Sequence, residues 1–315
     1  MLSFVIPTYN EAEGIETFHK TLLVPNIKKL KDAEYEIIYV NDGSKDATLD
    51  LLTTIAKKDK HVKVVNLSRN FGKEIATTAG IFQAVGDATI ILDADGQHPP
   101  EIFQQFVDKW HNGAQVVVGV RNKEQHVGFI KRTGSKVFYK LFNSTSGAEM
   151  VPRSTDFRLI DRDVREEFMK FTERNRITRG LIDWLGFQRD YVYFDSPARI
   201  AGQASYKTSQ LVKLAINSFT SLSLKPLFMF GWIGGGIIIL SVLFGIFIIV
   251  EQFILRDPLA LHFSGSVILG TFTSFMVGLV LVSQAILAVY ISHIHTQTQN
   301  RPLFVVDKKK SKNIS

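Results

Sequence analysis

Asp93 and Asp95 flank Ala94 at the end of an apolar run, Ile90-Ile91-Leu92, and Gly96-Gln97-His98-Pro99-Pro100 follows them. Side chains alternate faces along an extended strand, so carboxylates spaced in this way point to the same side. Converging carboxylates repel unless a cation joins them, and oxygen donors of this type suit Mg²⁺ or Mn²⁺. Such an ion commonly bridges protein carboxylate and substrate phosphate. The competing reading is a polar turn leading into a helix, since Asp and Gly favour turns. Three other polar segments weigh against that. Asn41-Asp42-Gly43-Ser44-Lys45-Asp46 offers Asp42 as an acceptor for a base or ribose, with Ser44 and Asp46 placed to cap a helix. Pro7-Thr8-Tyr9-Asn10-Glu11 sets an aromatic face beside a carboxylate, as a flat heterocycle requires. The fourth segment is Ser68-Arg69-Asn70-Phe71-Gly72-Lys73. Neither a G-x-x-x-x-G-K-[ST] loop nor a dinucleotide glycine fingerprint is present. A nucleotide would be held by loops and a metal.

All four segments directly follow a short β-branched run. Residues 2–7, 36–40, 62–67, 88–92 and 115–119 read as strands, and 12–31, 47–58, 73–85 and 101–112 as helices between them. Apolar strands separated by helical crossovers predict an α/β domain with a mostly parallel sheet. Ligands of such sheets bind beyond the carboxyl ends of the strands, where these four loops fall. His19, His61, His111 and His126 are scattered and read as surface residues. His98 either orients the acidic motif or does nothing in it, and Trp184 reads as core.

The last third has a different character. Residues 227–250 and roughly 263–291 are long enough as helices to cross a hydrocarbon core of about 30 Å. The segment between them, 251–262, carries one Arg and no Lys, while both outer flanks are basic; the positive-inside rule then puts both ends in the cytosol. No signal peptide is visible at the start. Residues 135–143 and 209–224 have apolar stripes with lysines beside them, which predicts helices at the membrane surface. The net charge of +7 includes Lys131, Arg132, Lys136 and Lys140 and a tail with Lys308, Lys309, Lys310 and Lys312, all suited to anionic headgroups. No aromatic platform accompanies these charges, so nucleic acid is not an expected partner. The absence of cysteine excludes disulfides, thiolate metal sites and a cysteine nucleophile.

Val5-Ile6-Pro7-Thr8-Tyr9-Asn10-Glu11, Val40-Asn41-Asp42-Gly43-Ser44, Asn70-Phe71-Gly72-Lys73-Glu74 and Asp93–Glu101 together resemble the family 2 (GT-A) glycosyltransferases. Asp156-Phe157-Arg158-Leu159, Glu173-Arg174, Trp184-Leu185-Gly186-Phe187, Arg199-Ile200-Ala201-Gly202 and Asn300-Arg301-Pro302-Leu303 narrow this to the polyprenyl-phosphate (bactoprenol- or dolichol-phosphate) sugar synthases. The likeness spans nearly the whole chain. It implies a GT-A catalytic domain at 1–208, an interfacial helix at 209–225, a two-helix transmembrane hairpin at 226–292 and a basic cytosolic tail at 293–315. Asn41 stands where the family usually has Asp, Gly96 where Leu is common, and Lys207 follows Tyr206 where a lysine normally precedes it.

The resemblance further implies metal ligation by Asp93, Asp95 and Gln97, with Mg²⁺ or Mn²⁺ as cofactor. Nucleotide contacts fall to Pro7, Tyr9, Glu11, Asp42 and Asp93, and acceptor-phosphate contacts to Arg121, Arg132 and Ser135. Asp156 and Arg199 are the catalytic candidates: Asp156 as base or as positioner, Arg199 on a donor or acceptor phosphate. The expected reaction is inverting transfer of one hexose from a UDP-sugar to undecaprenyl or another polyprenyl phosphate at the cytosolic face of the cell membrane. Glucose is favoured, with N-acetylglucosamine, galactose or GDP-mannose as alternatives. The product would be a lipid-linked donor for cell-envelope glycosylation. Expected partners are membrane lipids, a homo-oligomer (a tetramer is one option), a separate flippase and a downstream glycosyltransferase. A processive polysaccharide synthase would carry more spans and a Q-x-x-R-W element, which are absent; a non-catalytic scaffold would not need Asp93, Asp95 and Asp156.

Overall fold

The computed structural model describes residues 1–30, 34–122, 151, 153–174, 176–197, 265–299 and 301–314, with isolated positions at 243, 246 and 250. Seven strands form one sheet: β1 Leu2–Thr8, β2 Tyr35–Asn41, β3 Val62–Asn66, β4 Ala88–Ile91, β5 Val116–Arg121, β6 Ser154–Asp161 and β7 Arg189–Phe194. Their order is β3-β2-β1-β4-β6-β5-β7. β1 to β4 are mutually parallel, β5 and β7 pair in parallel, and β6 runs antiparallel to both its neighbours. The expected mostly parallel α/β sheet is present. β6 and β7 are additions that the sequence pattern did not show.

Alternation along each strand explains why the strands read as unbroken apolar runs. Phe4, Ile6, Ile37 and Tyr39 enter one buried cluster, while Val5, Ile38 and Val40 enter another on the opposite face. Helices cover both faces: a three-part α1 (Ile15–Thr17, π-helical Phe18–Leu23, Val24–Ile27), α2 Thr48–Lys58, α3 Lys73–Gln83, α4 Phe103–His111, α5 Arg162–Met169 and α6 Thr178–Trp184. α3 lies close to the sheet. At Gly80 an added Cβ would stand 2.3 Å from Val5 Cγ1, so only glycine permits that approach.

Two expectations of burial are corrected. His19 is buried, with its Nδ1 3.0 Å from the Tyr39 hydroxyl, because π-helical winding turns it toward β2. Trp184, expected in the core, is 60% exposed at the end of α6 and packs edge-on to Phe171.

The chain divides into one unit of Met1–Lys207 with Arg301–Ser315 and a second of Thr208–Asn300. The residues read as a basic tail therefore include a piece of the first unit. Val64 and Lys312 exchange backbone hydrogen bonds at 2.9 Å, Asp307 N–H donates to Asn66 at 2.8 Å, and Ser68 N–H donates to Val305 at 2.9 Å. Phe304, Val306 and Ile314 pack on the core, so the tail covers the otherwise open edge of β3. In the second unit, α7 Gly265–Thr298 is 34 residues long and overlaps in sequence the segment 263–291 expected as the second span. The first span, apart from isolated positions, and the two expected interfacial helices lie outside the described residues. Among the described residues no helix is long and apolar enough to cross a membrane, and the hairpin rests on the sequence.

Docking of the tail gives a direct check. Val306→Asp places a charge against the core and should cost about 1–3 kcal/mol. Thermal unfolding of the full chain should show a Tm lower by roughly 2–10 °C. An unchanged Tm would show that the tail contributes nothing to the first unit.

Candidate functional site

The loops at the carboxyl ends of β1 and β2 are zipped together. Asn10 N–H donates to Ser44 Oγ at 3.0 Å, Lys45 N–H donates to Asn10 Oδ1 at 2.9 Å, and Glu11 N–H donates to Thr48 Oγ1 at 2.9 Å. Asp46, expected as a cap, stands one residue before the N-cap Ala47 and serves the first turn of the helix by accepting from Thr48 N–H at 3.1 Å and from its hydroxyl at 2.6 Å. Pro7 is buried within β1, whereas Tyr9 is 41% exposed and Glu11 half-buried beside it.

Asp42 binds the third loop. It accepts from Phe71 N–H at 2.7 Å and from Gly72 N–H at 2.9 Å while itself 2% exposed. Burial raises its carboxyl pKa, and the two N–H donors and Arg69 pull it back. Gly43 must be glycine: φ is +63°, and an added Cβ would stand 2.5 Å from the Arg69 carbonyl carbon. Asn41, unlike the Asp expected there, can donate, and it does so to Asn66 Oδ1 at 2.6 Å.

The acidic motif follows β4. His98 is buried and stacked on Phe157, ring centroids 5.0 Å apart, and its Nδ1 accepts from Asp93 N–H at 3.0 Å. Burial lowers its pKa, and neutral imidazole is the form that accepts there. His98 therefore orients the motif. Asp95 Oδ1 accepts from Gln97 N–H at 3.0 Å, and Arg121 reaches Gln97 Oε1 at 3.5 Å from the end of β5. Among the described residues no group of three His, Cys, Asp or Glu side chains is placed to hold a metal ion. Asp93, Asp95 and Gln97 nevertheless form an all-oxygen set on one short turn. That set fits a hard cation that keeps other positions for phosphate and water.

Lys73 and Glu74, the first residues of α3, had no assigned role. Lys73 Nζ lies 2.7 Å from Asp93 Oδ1 and 2.9 Å from Asp156 Oδ2. Burial opposes the charges of all three groups, yet their mutual attraction outweighs it. Lys73 is held well above its usual pKa, Asp156 well below, and Asp93 below. Arg179 adds to the effect at Asp156. Glu74 accepts from Thr178 N–H at 2.7 Å, which fastens α6 behind β6; burial, then the Asp156 charge, raises its pKa. Behind Asp156, Arg158 and Asp183 form a buried two-pronged pair at 2.7 and 3.3 Å. The clue to Lys73 was the loop motif itself. The Arg158–Asp183 pair had none, because its members sit on elements that the pattern missed. Arg132, Ser135 and Arg199 lie outside the described residues, as do Lys131, Lys136, Lys140 and Lys207.

A model of glycosyl transferase family 2 matches residues 3–169. A bactoprenol glucosyl transferase of Shigella phage SfV is 35% identical over 311 residues, 99% of each chain. An uncharacterised glycosyltransferase of Synechocystis is 37% identical over 305 residues, 97% of this chain and 94% of its own. A crystal structure of a mycobacterial protein superposes with a TM-score of 0.50 at 17% identity, over 70% of this chain and 73% of that one, a likeness of fold alone.

The pair behind Asp156 tests this geometry. Asp183→Ala leaves Arg158 charged and buried, which costs about 3–5 kcal/mol when one partner of such a pair is removed. Denaturant unfolding should register a loss of that size. A loss below about 1 kcal/mol, the scale of an exposed ion pair, would show that the pair is not closed from solvent.

Proposed function

The chain belongs to glycosyl transferase family 2 and is a glycosyltransferase, and we propose that it moves one hexose, glucose first, from a UDP-sugar to a polyprenyl phosphate with inversion. One observation carries the reading. The acidic turn, the braced nucleotide-side loops and Asp156 meet at one edge of the sheet, in a chain 35% identical along its length to a bactoprenol glucosyl transferase.

Tyr9 presents an exposed ring for a base, with Glu11 beside it, on a loop that the second loop holds in place. Asp93, Asp95 and Gln97 would hold Mg²⁺ or Mn²⁺, which when bound offsets charge developing on the leaving diphosphate. Arg121, already against Gln97, stands where a phosphate oxygen can accept its donors. Arg132, Ser135 and Arg199 complete the assignment from resemblance. A lipid phosphate monoester has a second pKa near ~6 and is largely dianionic at neutral pH, so the acceptor oxygen needs no base, and Asp156 serves as a positioner that orients the sugar or an arginine. A single displacement at the anomeric carbon then converts an α-linked donor into a β-linked product.

We place the catalytic unit on the cytosolic face, tied to the bilayer by two spans. Leu269, Phe272, Val280, Leu287, Ile291 and Ile294 are exposed along α7, as lipid contact requires. At ~1.5 Å per residue this helix exceeds a ~30 Å hydrocarbon core. Two spans form no transport path, so moving the product across falls to another protein.

Purified full-length protein with labelled UDP-glucose, undecaprenyl phosphate and Mg²⁺ or Mn²⁺ should yield a lipid-extractable labelled product, lost on chelation. Asp95→Ala should lower turnover by at least about 100-fold while the protein stays folded. Product from UDP-N-acetylglucosamine, UDP-galactose or GDP-mannose alone would overturn the choice of glucose. No product from any of them would overturn the acceptor assignment.

A further inference from the structure

β4 and β6 run antiparallel with Ile91 opposite Arg158 and Ile90 opposite Leu159. Carried two residues beyond Ile91, that register sets Asp93 opposite Asp156. Like charges directly across an antiparallel pair destabilise it. Here the Lys73 ammonium stands against both carboxylates, at 2.7 Å and 2.9 Å. Lys73 comes from a third element, the first residue of α3, and its place is fixed on both sides. Gly72, at φ +98°, gives its N–H to Asp42, and Glu74 accepts from Thr178 N–H. One side chain thus links the donor-side loop, the acidic motif and the strand that carries Asp156.

We propose that Lys73 is a positioning residue for transfer: its ammonium joins Asp93 to Asp156 and so fixes Asp156 in relation to the donor-binding loops. This rests on the transferase reading above for its effect on turnover, but not for the bridge itself. Removing the ammonium leaves two carboxylates facing each other, and they separate. Asp156 then loses its place, while Asp93 stays on its turn through its N–H to His98 and the other nucleotide-side loops keep their own hydrogen bonds. The loss belongs in kcat, and KM for the donor should hold.

The test is a double-mutant cycle on the full-length protein, read in turnover and in Tm. Lys73→Met should lower kcat by about 100-fold, the scale of lost alignment at the reacting centre. KM for UDP-glucose should stay within about threefold of wild type. Lys73→Arg should recover at least about a tenth of the wild-type rate, since it restores the charge. The double variant Lys73→Met/Asp156→Asn should be no slower, within about threefold, than the slower single variant. Multiplying losses would show that Lys73 acts independently of Asp156 and would overturn the proposal. So would a rise in KM with kcat unchanged, which would make Lys73 a donor-binding residue. If Lys73→Met does not fold, Lys73→Gln replaces it in the cycle. Should the wild-type protein transfer no sugar, the transferase reading fails and the bridge is decided by Tm alone. Non-additive shifts uphold the bridge, and additive shifts refute it.

Discussion

Asp93, two residues beyond β4, and Asp156 on β6 both lie against one ammonium, and much of the site's architecture answers that closeness of like charge. Lys73 supplies the cation, and its ammonium stays charged because the two carboxylates outweigh the cost of burial. To deliver Lys73 there, the chain turns through Gly72 at positive φ, and Asp42 secures that turn by accepting from Phe71 and Gly72. Asp42 is in turn carried on a loop bound to the first through Asn10 and Ser44. The loops are therefore linked in series, each supplying the partner that the next requires. Their backbone donors face an edge where water would otherwise serve them, so bracing by side chains gives a preorganised site rather than a flexible rim.

The central part of this arrangement was legible in the sequence because it depends on local pattern. The β-branched runs mark β1 to β5, the polar loops after four of them mark the site edge, and Asp93-Ala94-Asp95 marks its acidic centre. What was not legible depends on distant pairing. β6 places a buried Arg158 among its apolar residues, and that arginine is tolerable only because Asp183 arrives from α6. The role of Lys73 needed the β4–β6 register, which no local pattern reports. Residues 293–315, with Lys308, Lys309, Lys310 and Lys312, read as a basic cytosolic tail beside the headgroups. Residues 301–314 of it cover the first unit only because β3 leaves an edge unpaired about 245 positions earlier, where Asn66 N–H meets the Ser311 hydroxyl.

The tail also joins two themes. It returns from the end of α7 to pair with β3 and to accept from Ser68, at the base of the loop that presents Gly72 and Lys73. The unit that carries the chemistry is thus held to the proposed membrane segments at two points in the chain, before residue 208 and after residue 300. The same arrangement explains why a strongly basic composition coexists with an acidic site. The carboxylates lie at the sheet edge, and much of the positive charge lies in segments expected to meet headgroups.

The central claim is a single displacement at this edge, with the lipid phosphate as the attacking group. The anomeric configuration of the isolated product tests it most directly, read from the H1–H2 coupling of the glucose in its proton NMR spectrum after turnover with UDP-α-glucose. The account predicts a β-linked glucosyl phosphate. An α-linked product would contradict it, since retention requires a second displacement or a front-side path rather than a single in-line attack.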